Sequence, residues 1–209
     1  MNVGIIGYQG DVVEHLELLE KLNKDYKREV NVVLVRNVRT LSIVDGLIIP
    51  GGESTTIYRL IKEFGLFDPI RTMAGQGIPI MGTCAGLVLI SKDNPMERVR
   101  TLDLIDVSVR RNGYGRQGES FYENIDVDEI GSFDAVFIRA PIIERVGKVT
   151  VLARYNGSPV MVKEGNILGI TFHPELTGDS RIHEMFLDMI GMGGSISIGK
   201  REFPMVEYV

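Results

Sequence analysis

Pro79-Ile80-Met81-Gly82-Thr83-Cys84-Ala85-Gly86, followed by Leu87-Val88-Leu89-Ile90, is the stretch on which the fold turns. A short apolar run breaks at Gly82 and gives way, past Gly86, to a second apolar run at helical spacing. That is a buried strand turning abruptly into a helix, with a single residue held at the tip between two glycines. The same grammar recurs upstream. Asn2 to Ile6 reads as a short buried strand, and Val12, Leu16 and Leu19 follow at helical spacing after a possible cap at Asp11. Val30 to Val35 is a β-branched run, as expected when helices cover both faces of a parallel sheet. Gly46 to Ile49 is a third strand that ends in Pro50-Gly51-Gly52, and helices are expected over Thr55 to Lys62 and Phe67 to Ala74. Strands alternating with helices predict an α/β fold with an open, doubly wound, mostly parallel sheet.

Downstream of Leu104 the texture changes. Leu104 to Val109, Ala135 to Ile138, Lys148 to Ala153, Pro159 to Val162 and Ile167 to Thr171 read as short strands between Gly, Pro and Asn turns, some of them paired as antiparallel hairpins. A last helix is expected from about Ser180 to Met189, with Ile182, Met185, Phe186 and Met189 facing the sheet. No repeat or long linker divides the chain, so residues 1–209 are expected to form one domain, with 191–209 as a mobile or atypical tail in which Met205, Val206 and Val209 are available to dock.

The 209 residues are 44% hydrophobic and 24% charged and carry a formal charge of −5. Without a clustered Lys/Arg run there is no phosphate-neutralising surface, so nucleic acid is not an expected partner. No apolar run reaches membrane-spanning length and the N-terminus lacks the features of a signal peptide, so no membrane association and a cytoplasmic location are expected.

Cys84 is the only cysteine, which excludes an internal disulfide and a thiolate metal cluster. What remains is an inert or a catalytic thiol. In the elbow the sulfur sits near a helix N-terminus whose partial charge favours thiolate, and the Ala85 N–H faces any oxyanion that forms there. A thiolate nucleophile needs a base, and the chain has three histidines. His15 and His183 lie within helices and read as surface or structural residues. His173 follows an apolar run and is fixed by Pro174, at the carboxyl end of a strand where open α/β sheets bind ligands. Glu175, two residues on, is placed to orient its imidazole, so Cys84, His173 and Glu175 form a feasible triad.

Gly82-Thr83-Cys84-Ala85-Gly86 with Phe172-His173-Pro174-Glu175 resembles the class I, or triad, glutamine amidotransferases. Five further blocks are similar to the glutaminase subunits of pyridoxal 5′-phosphate synthase. They are Gly7 to Gly10, Pro50 to Thr56, Arg111 to Gln117, Phe137 to Pro141, and Phe172 to Thr177. The resemblance implies that Cys84 attacks the side-chain amide of L-glutamine, that His173 protonates the departing ammonia, and that a glutamyl thioester is then hydrolysed, with no cofactor or metal. It implies an oxyanion hole at Gly52 and Ala85, and glutamine contacts from Gly52, Glu53, Ser54, Arg111, Ile138 and Arg139. The glycines after the third strand fit the oxyanion role independently, because they let backbone N–H groups approach closely.

Arg111 and Arg139 have the donor fork that suits a planar carboxylate, and either alternatively ties loops together. Arg116 and Gln117 fit a subunit interface as well as a substrate contact. The implied partner is a (β/α)₈-barrel synthase subunit that accepts the ammonia and stimulates the glutaminase. The competing readings are a class I glutaminase that serves another acceptor, and a cysteine hydrolase or redox protein of similar fold.

Overall fold

The computed structural model describes residues 1–26, 29–93, 99–113, 120–192 and 203. The end of the Arg111 to Gln117 block and the tail contacts expected of Met205, Val206 and Val209 lie outside these residues. The first half alternates strand and helix as its apolar spacing predicts: β1 (Asn2–Ile6), α1 (Val12–Tyr26), β2 (Asn31–Val35), α2 (Val38–Leu41), β3 (Gly46–Ile49), α3 (Ser54–Glu63), α4 (Phe67–Gly75), β4 (Ile80–Thr83) and α5 (Ala85–Ile90). The second half is strand-rich: β5 (Ser91–Asp93), β6 (Ile105–Arg110), β7 (Ser120–Val127), β8 (Gly131–Ile138), β9 (Ile142–Val146), β10 (Thr150–Tyr155), β11 (Ser158–Glu164) and β12 (Ile167–Ile170), closed by a 3-10 turn over Pro174–Leu176 and helix α6 (Arg181–Met192).

Nine strands form one sheet in the order β2-β1-β3-β4-β12-β11-β10-β7-β8, and β5-β6-β9 form a smaller one. Neighbours from β2 to β12 run parallel, while β11, β10, β7 and β8 extend the sheet as antiparallel hairpins. Strand β12, last in sequence, pairs beside β4 in register Ile170 with Thr83, so the chain returns to the centre of the sheet just before its final helix.

Alternation along the parallel strands divides the core in two. Ile6, Leu47, Ile49 and Ile80 point to a cluster built with Ile57, Ile61, Ile70 and Leu89 of helices α3 to α5. Val3, Ile5, Ile48, Met81 and Leu168 point to the opposite cluster, with Leu18, Leu19 and Leu22 of α1 and Phe186, Leu187 and Ile190 of α6. Burial on both faces accounts for the β-branched composition of these strands, each fully buried aliphatic side chain contributing about 2 kcal/mol of transfer free energy. No described helix is long and apolar enough to cross a membrane.

Candidate active site

Strand β4 ends at Thr83 and α5 begins at Ala85, so Cys84 alone makes the turn, with φ 46° and ψ −103°. A left-handed φ at a residue with a Cβ costs about 1–3 kcal/mol, and the surroundings fix it. The Cys84 N–H donates to the Ile170 carbonyl at 2.8 Å, and Val88 N–H donates to the Cys84 carbonyl at 3.3 Å. A Cβ on Gly86 would stand 1.9 Å from the Ile49 carbonyl oxygen, and one on Gly82 would stand 2.8 Å from the Gly86 carbonyl. Helix and strands therefore approach more closely than any side chain permits, which is why the elbow carries glycine on both sides.

The parallel register delivers the other groups to the same edge. Ile49 pairs with Gly82 and Ile170 with Thr83, so Gly51-Gly52, Cys84 and His173 leave adjacent strands side by side. Asp11 arrives from the turn after β1, where its N–H donates to the Gly51 carbonyl at 3.3 Å. The His173 N–H donates to Val136 of β8 at 2.8 Å, and Pro174 opens the 3-10 turn that folds Glu175 back against the ring. His173 Nδ1 lies 2.8 Å from Glu175 Oε1 and 3.2 Å from Asp11 Oδ2. Cys84, His173 and Glu175 are 8%, 4% and 5% exposed.

Burial alone would lower the basicity of His173, but Asp11, Cys84 and Glu175 around the ring override it and raise the pKa to about 12, which favours the protonated ring at neutral pH. Its Nε2 finds no partner of hydrogen-bond geometry among the described residues. Burial raises Glu175, and His173 opposes that rise. Asp11, His173 and Glu175 are the one cluster of possible metal ligands among the described residues, and the two carboxylates converge on the single N–H at Nδ1.

A pocket of about 410 Å³ opens over the sulfur, within the usual size of small-ligand sites. Cys84, His173, Gly52, Ala85, Glu53, Ser54, Arg111, Ile138 and Arg139 all line it, while Glu175 stands behind His173. The Cys84 thiol faces the Ile138 carbonyl at 3.8 Å. Arg139 adopts a left-handed φ of 44°. Ser54 Oγ is buried without a hydrogen-bond partner among the described residues. Gly52 takes φ 137°, a conformation open to glycine and strained for other residues. Glu53 N-caps α3 by accepting from Thr55 N at 3.1 Å. Arg111 Nη2 reaches both oxygens of Glu53, at 2.8 and 3.1 Å. Burial works against the Glu53 charge, but Thr55 and Arg111 hold its pKa below the usual value. In this arrangement Arg111 ties two loops of the pocket together, the second of the two roles open to it.

The family model of the SNO glutamine amidotransferase family matches residues 5–192. The chain belongs to this family. Among curated proteins it is similar to the pyridoxal 5′-phosphate synthase subunit PdxT of Thermoplasma acidophilum, 55% identical over 198 residues, which cover 94% of this chain and 97% of that one. It is likewise similar to the protein of the same name from Thermoplasma volcanium, 56% identical over 197 residues and covering 94% and 98%. Among solved structures, one described as a glutamine amidotransferase superposes with a TM-score of 0.83 at 42% identity, over 90% of this chain and 98% of its own. A Thermotoga maritima glutamine amidotransferase, at 16% identity and a TM-score of 0.59, shares the fold alone.

Within this family frame, sequence reasoning missed three groups. Asp11, read as a helix cap, contacts the imidazole of His173. His15 and His183, read as surface or structural, are fully buried, so the surface alternative is wrong. The signal was present: His15 leads a stripe with Leu18, Leu19 and Leu22, and His183 leads one with Phe186, Leu187 and Ile190, both at the spacing of a core-facing helix.

Proposed function

We propose that the chain hydrolyses L-glutamine to L-glutamate and ammonia through a glutamyl thioester on Cys84, and delivers the ammonia to a synthase subunit that makes pyridoxal 5′-phosphate. The observation that carries the chemistry is a strained, elbow-held cysteine beside a buried imidazole whose Nε2 has no hydrogen-bond partner among the described residues, both opening onto one pocket. The Cys84 sulfur, its proton on His173, attacks the carboxamide carbon, and the negative charge gathers on the amide oxygen. The N–H groups of Ala85, at the first turn of α5, and of Gly52 are the donors assigned to that oxygen. Collapse breaks the C–N bond, His173 Nε2 gives its proton to the leaving nitrogen, and ammonia departs. Water then attacks the thioester carbon with His173 as base, the sulfur leaves, and glutamate is released. Glu175 and Asp11 hold the imidazole through Nδ1 and offset its charge throughout.

Ser54 and Arg139 are assigned to the polar head of glutamine. Ser54 has a hydroxyl in the wall without a hydrogen-bond partner among the described residues, and Arg139 brings a guanidinium to the same pocket. Residues 1–209 act as one glutamine amidotransferase domain, a reading supported by the family match over residues 5–192. The acceptor reading is supported by the relatives, which are pyridoxal 5′-phosphate synthase subunits, and the acceptor proposed is a (β/α)₈-barrel subunit. A reduced nucleophilic thiol suits a cytoplasmic location.

The test is glutamine hydrolysis by the purified chain with and without the synthase subunit. Stimulation by the synthase, lost in Cys84→Ala, is expected. Turnover that is vigorous alone and indifferent to the synthase contradicts the partnership, and turnover retained by Cys84→Ala contradicts the nucleophile.

A further inference from the structure

Behind the triad lies a second polar group that the chemistry above does not use. His15 of α1 and His183 of α6 are completely buried, at the foot of two helices that pack on the same sheet face. His15 Nδ1 and His183 Nε2 are 2.9 Å apart, so one proton lies between them. The other nitrogen of His15, Nε2, faces a fork. Thr83 Oγ1, on the residue before the nucleophile, is 3.3 Å away, and Glu175 Oε2 is 3.6 Å away with both side chains fully buried.

The triad carboxylate makes this arrangement consequential. Glu175 Oε1 is taken by His173, whereas Oε2 is buried with no hydrogen-bond partner among the described residues. An ionised oxygen in such a place needs a positive dipole beside it, because an uncompensated buried charge costs several kcal/mol. His15 Nε2 is the group at hand, and it supplies such a dipole only if it carries the hydrogen. Desolvation holds His15 well below its ordinary pKa, with His183 and His173 adding to the effect, and keeps the ring neutral. A neutral imidazole bears one N–H. If that hydrogen sat on Nδ1, a lone pair would face the carboxylate. With it on Nε2, His15 Nδ1 becomes an acceptor and His183 must present Nε2–H to it, which fixes both tautomers.

We infer that His183 and His15 are positioning residues for the triad: His183 Nε2–H donates to His15 Nδ1, and His15 Nε2–H is thereby presented to Thr83 and to the second oxygen of Glu175, holding that carboxylate ionised and turned towards His173. The inference rests on the reading of Cys84, His173 and Glu175 as the triad. It extends the orienting chain by two members, carried on the first and last helices, and gives the burial of two polar side chains in an apolar stripe a chemical purpose. Outer-shell partners that orient metal-bound imidazoles change activity by about 10–100-fold, and an effect of that order is expected for an imidazole oriented in the same way here.

The decisive comparison is glutaminase activity, in the presence of the synthase subunit, of wild type, His15→Leu and His15→Gln, with Cys84→Ala as control. Leucine fills the site without a donor, whereas the glutamine amide nitrogen replaces Nε2. A fall in kcat of about 10-fold or more for His15→Leu with KM nearly unchanged, largely restored in His15→Gln, is expected. Wild-type kcat in folded His15→Leu, or equal losses in both variants, overturns the proposal. Should Cys84→Ala remain active, the triad reading fails first and the proposal falls with it. Should His15→Leu not fold, the wild-type chain decides. With three histidines in the chain, ¹⁵N-histidine NMR reads each tautomer, and His15 and His183 are expected to carry their proton on Nε2. A proton on Nδ1 of His15, or a charged His15 at neutral pH, overturns the assignment.

Discussion

A methyl group on Gly51 would lie 2.4 Å from Asp11 Oδ2 and 2.6 Å from His173 Cε1. The glycine therefore permits the contact between the turn after β3 and the face of the catalytic ring. Gly51→Ala is expected to push the imidazole out of line and lower kcat by about 100-fold, as small displacements of reacting groups do, with an unchanged circular dichroism spectrum because no core side chain moves. Activity within a few-fold of wild type would show that the ring has room the structure denies it. At this scale much of the pocket was legible. Cys84, His173 and Glu175 are marked by their neighbours, since glycine on both sides and proline after the histidine encode backbone geometry. The partners of charged side chains are not so marked. Nothing in the spacing of Glu53 and Arg111 reveals that they meet across 58 positions, and Asp11 reaches His173 only because β1 and β12 belong to one sheet.

The central parallel strands and the helices other than the short α2 announced themselves through their apolar runs and periods, because the strands are buried on both faces and the helices pack on them. The strands that escaped notice are β5, β7 and β9. In β7, Phe121, Ile125 and Val127 share a face, but Glu123 interrupts them at an inward position, where its carboxylate accepts from the Tyr155 hydroxyl at 3.0 Å. One satisfied polar residue erased the alternation. Strand β9 is short and pairs with β6, distant in sequence, so no turn signal marks it. His15 and His183 fall in the same class as Glu123. Each is a polar side chain on an apolar stripe whose partner lies on another element, and pattern reading assigns such residues to the surface by default.

Across the whole molecule the two buried histidines have a thermodynamic consequence. His183 is lowered to about 4 by burial and His15 is lowered well below 6.5 by burial and its histidine neighbours. Both are neutral in the native state near pH 6, where the unfolded chain begins to take up protons. For a group depressed on folding, the stability is present above the unfolded value and is lost as pH falls from 6.5 towards the folded one. Each histidine therefore steepens the loss by up to about 1.4 kcal/mol per pH unit. His173, raised on folding, acts with the opposite sign: its stabilisation is full below 6.5 and falls away as pH rises above that value, so it offsets part of the slope of one buried histidine near pH 7. Urea unfolding between pH 7 and 5 is expected to show falling stability that flattens in a His183→Leu variant. An equal slope in both would place the acid sensitivity elsewhere.

The fold brings the ends of β1, β3, β4 and β12 to one edge, and the whole arrangement serves a thiol that must become covalently bonded to substrate. Mass measurement of the intact chain, quenched rapidly after mixing with glutamine in the presence of the synthase subunit, tests that claim most directly. A species heavier by one glutamyl group, mapped to the peptide that contains Cys84 and absent from Cys84→Ala, is the predicted result. Steady turnover of glutamine with no adduct on Cys84, even when the quench is fast enough to catch a single turnover, would contradict it.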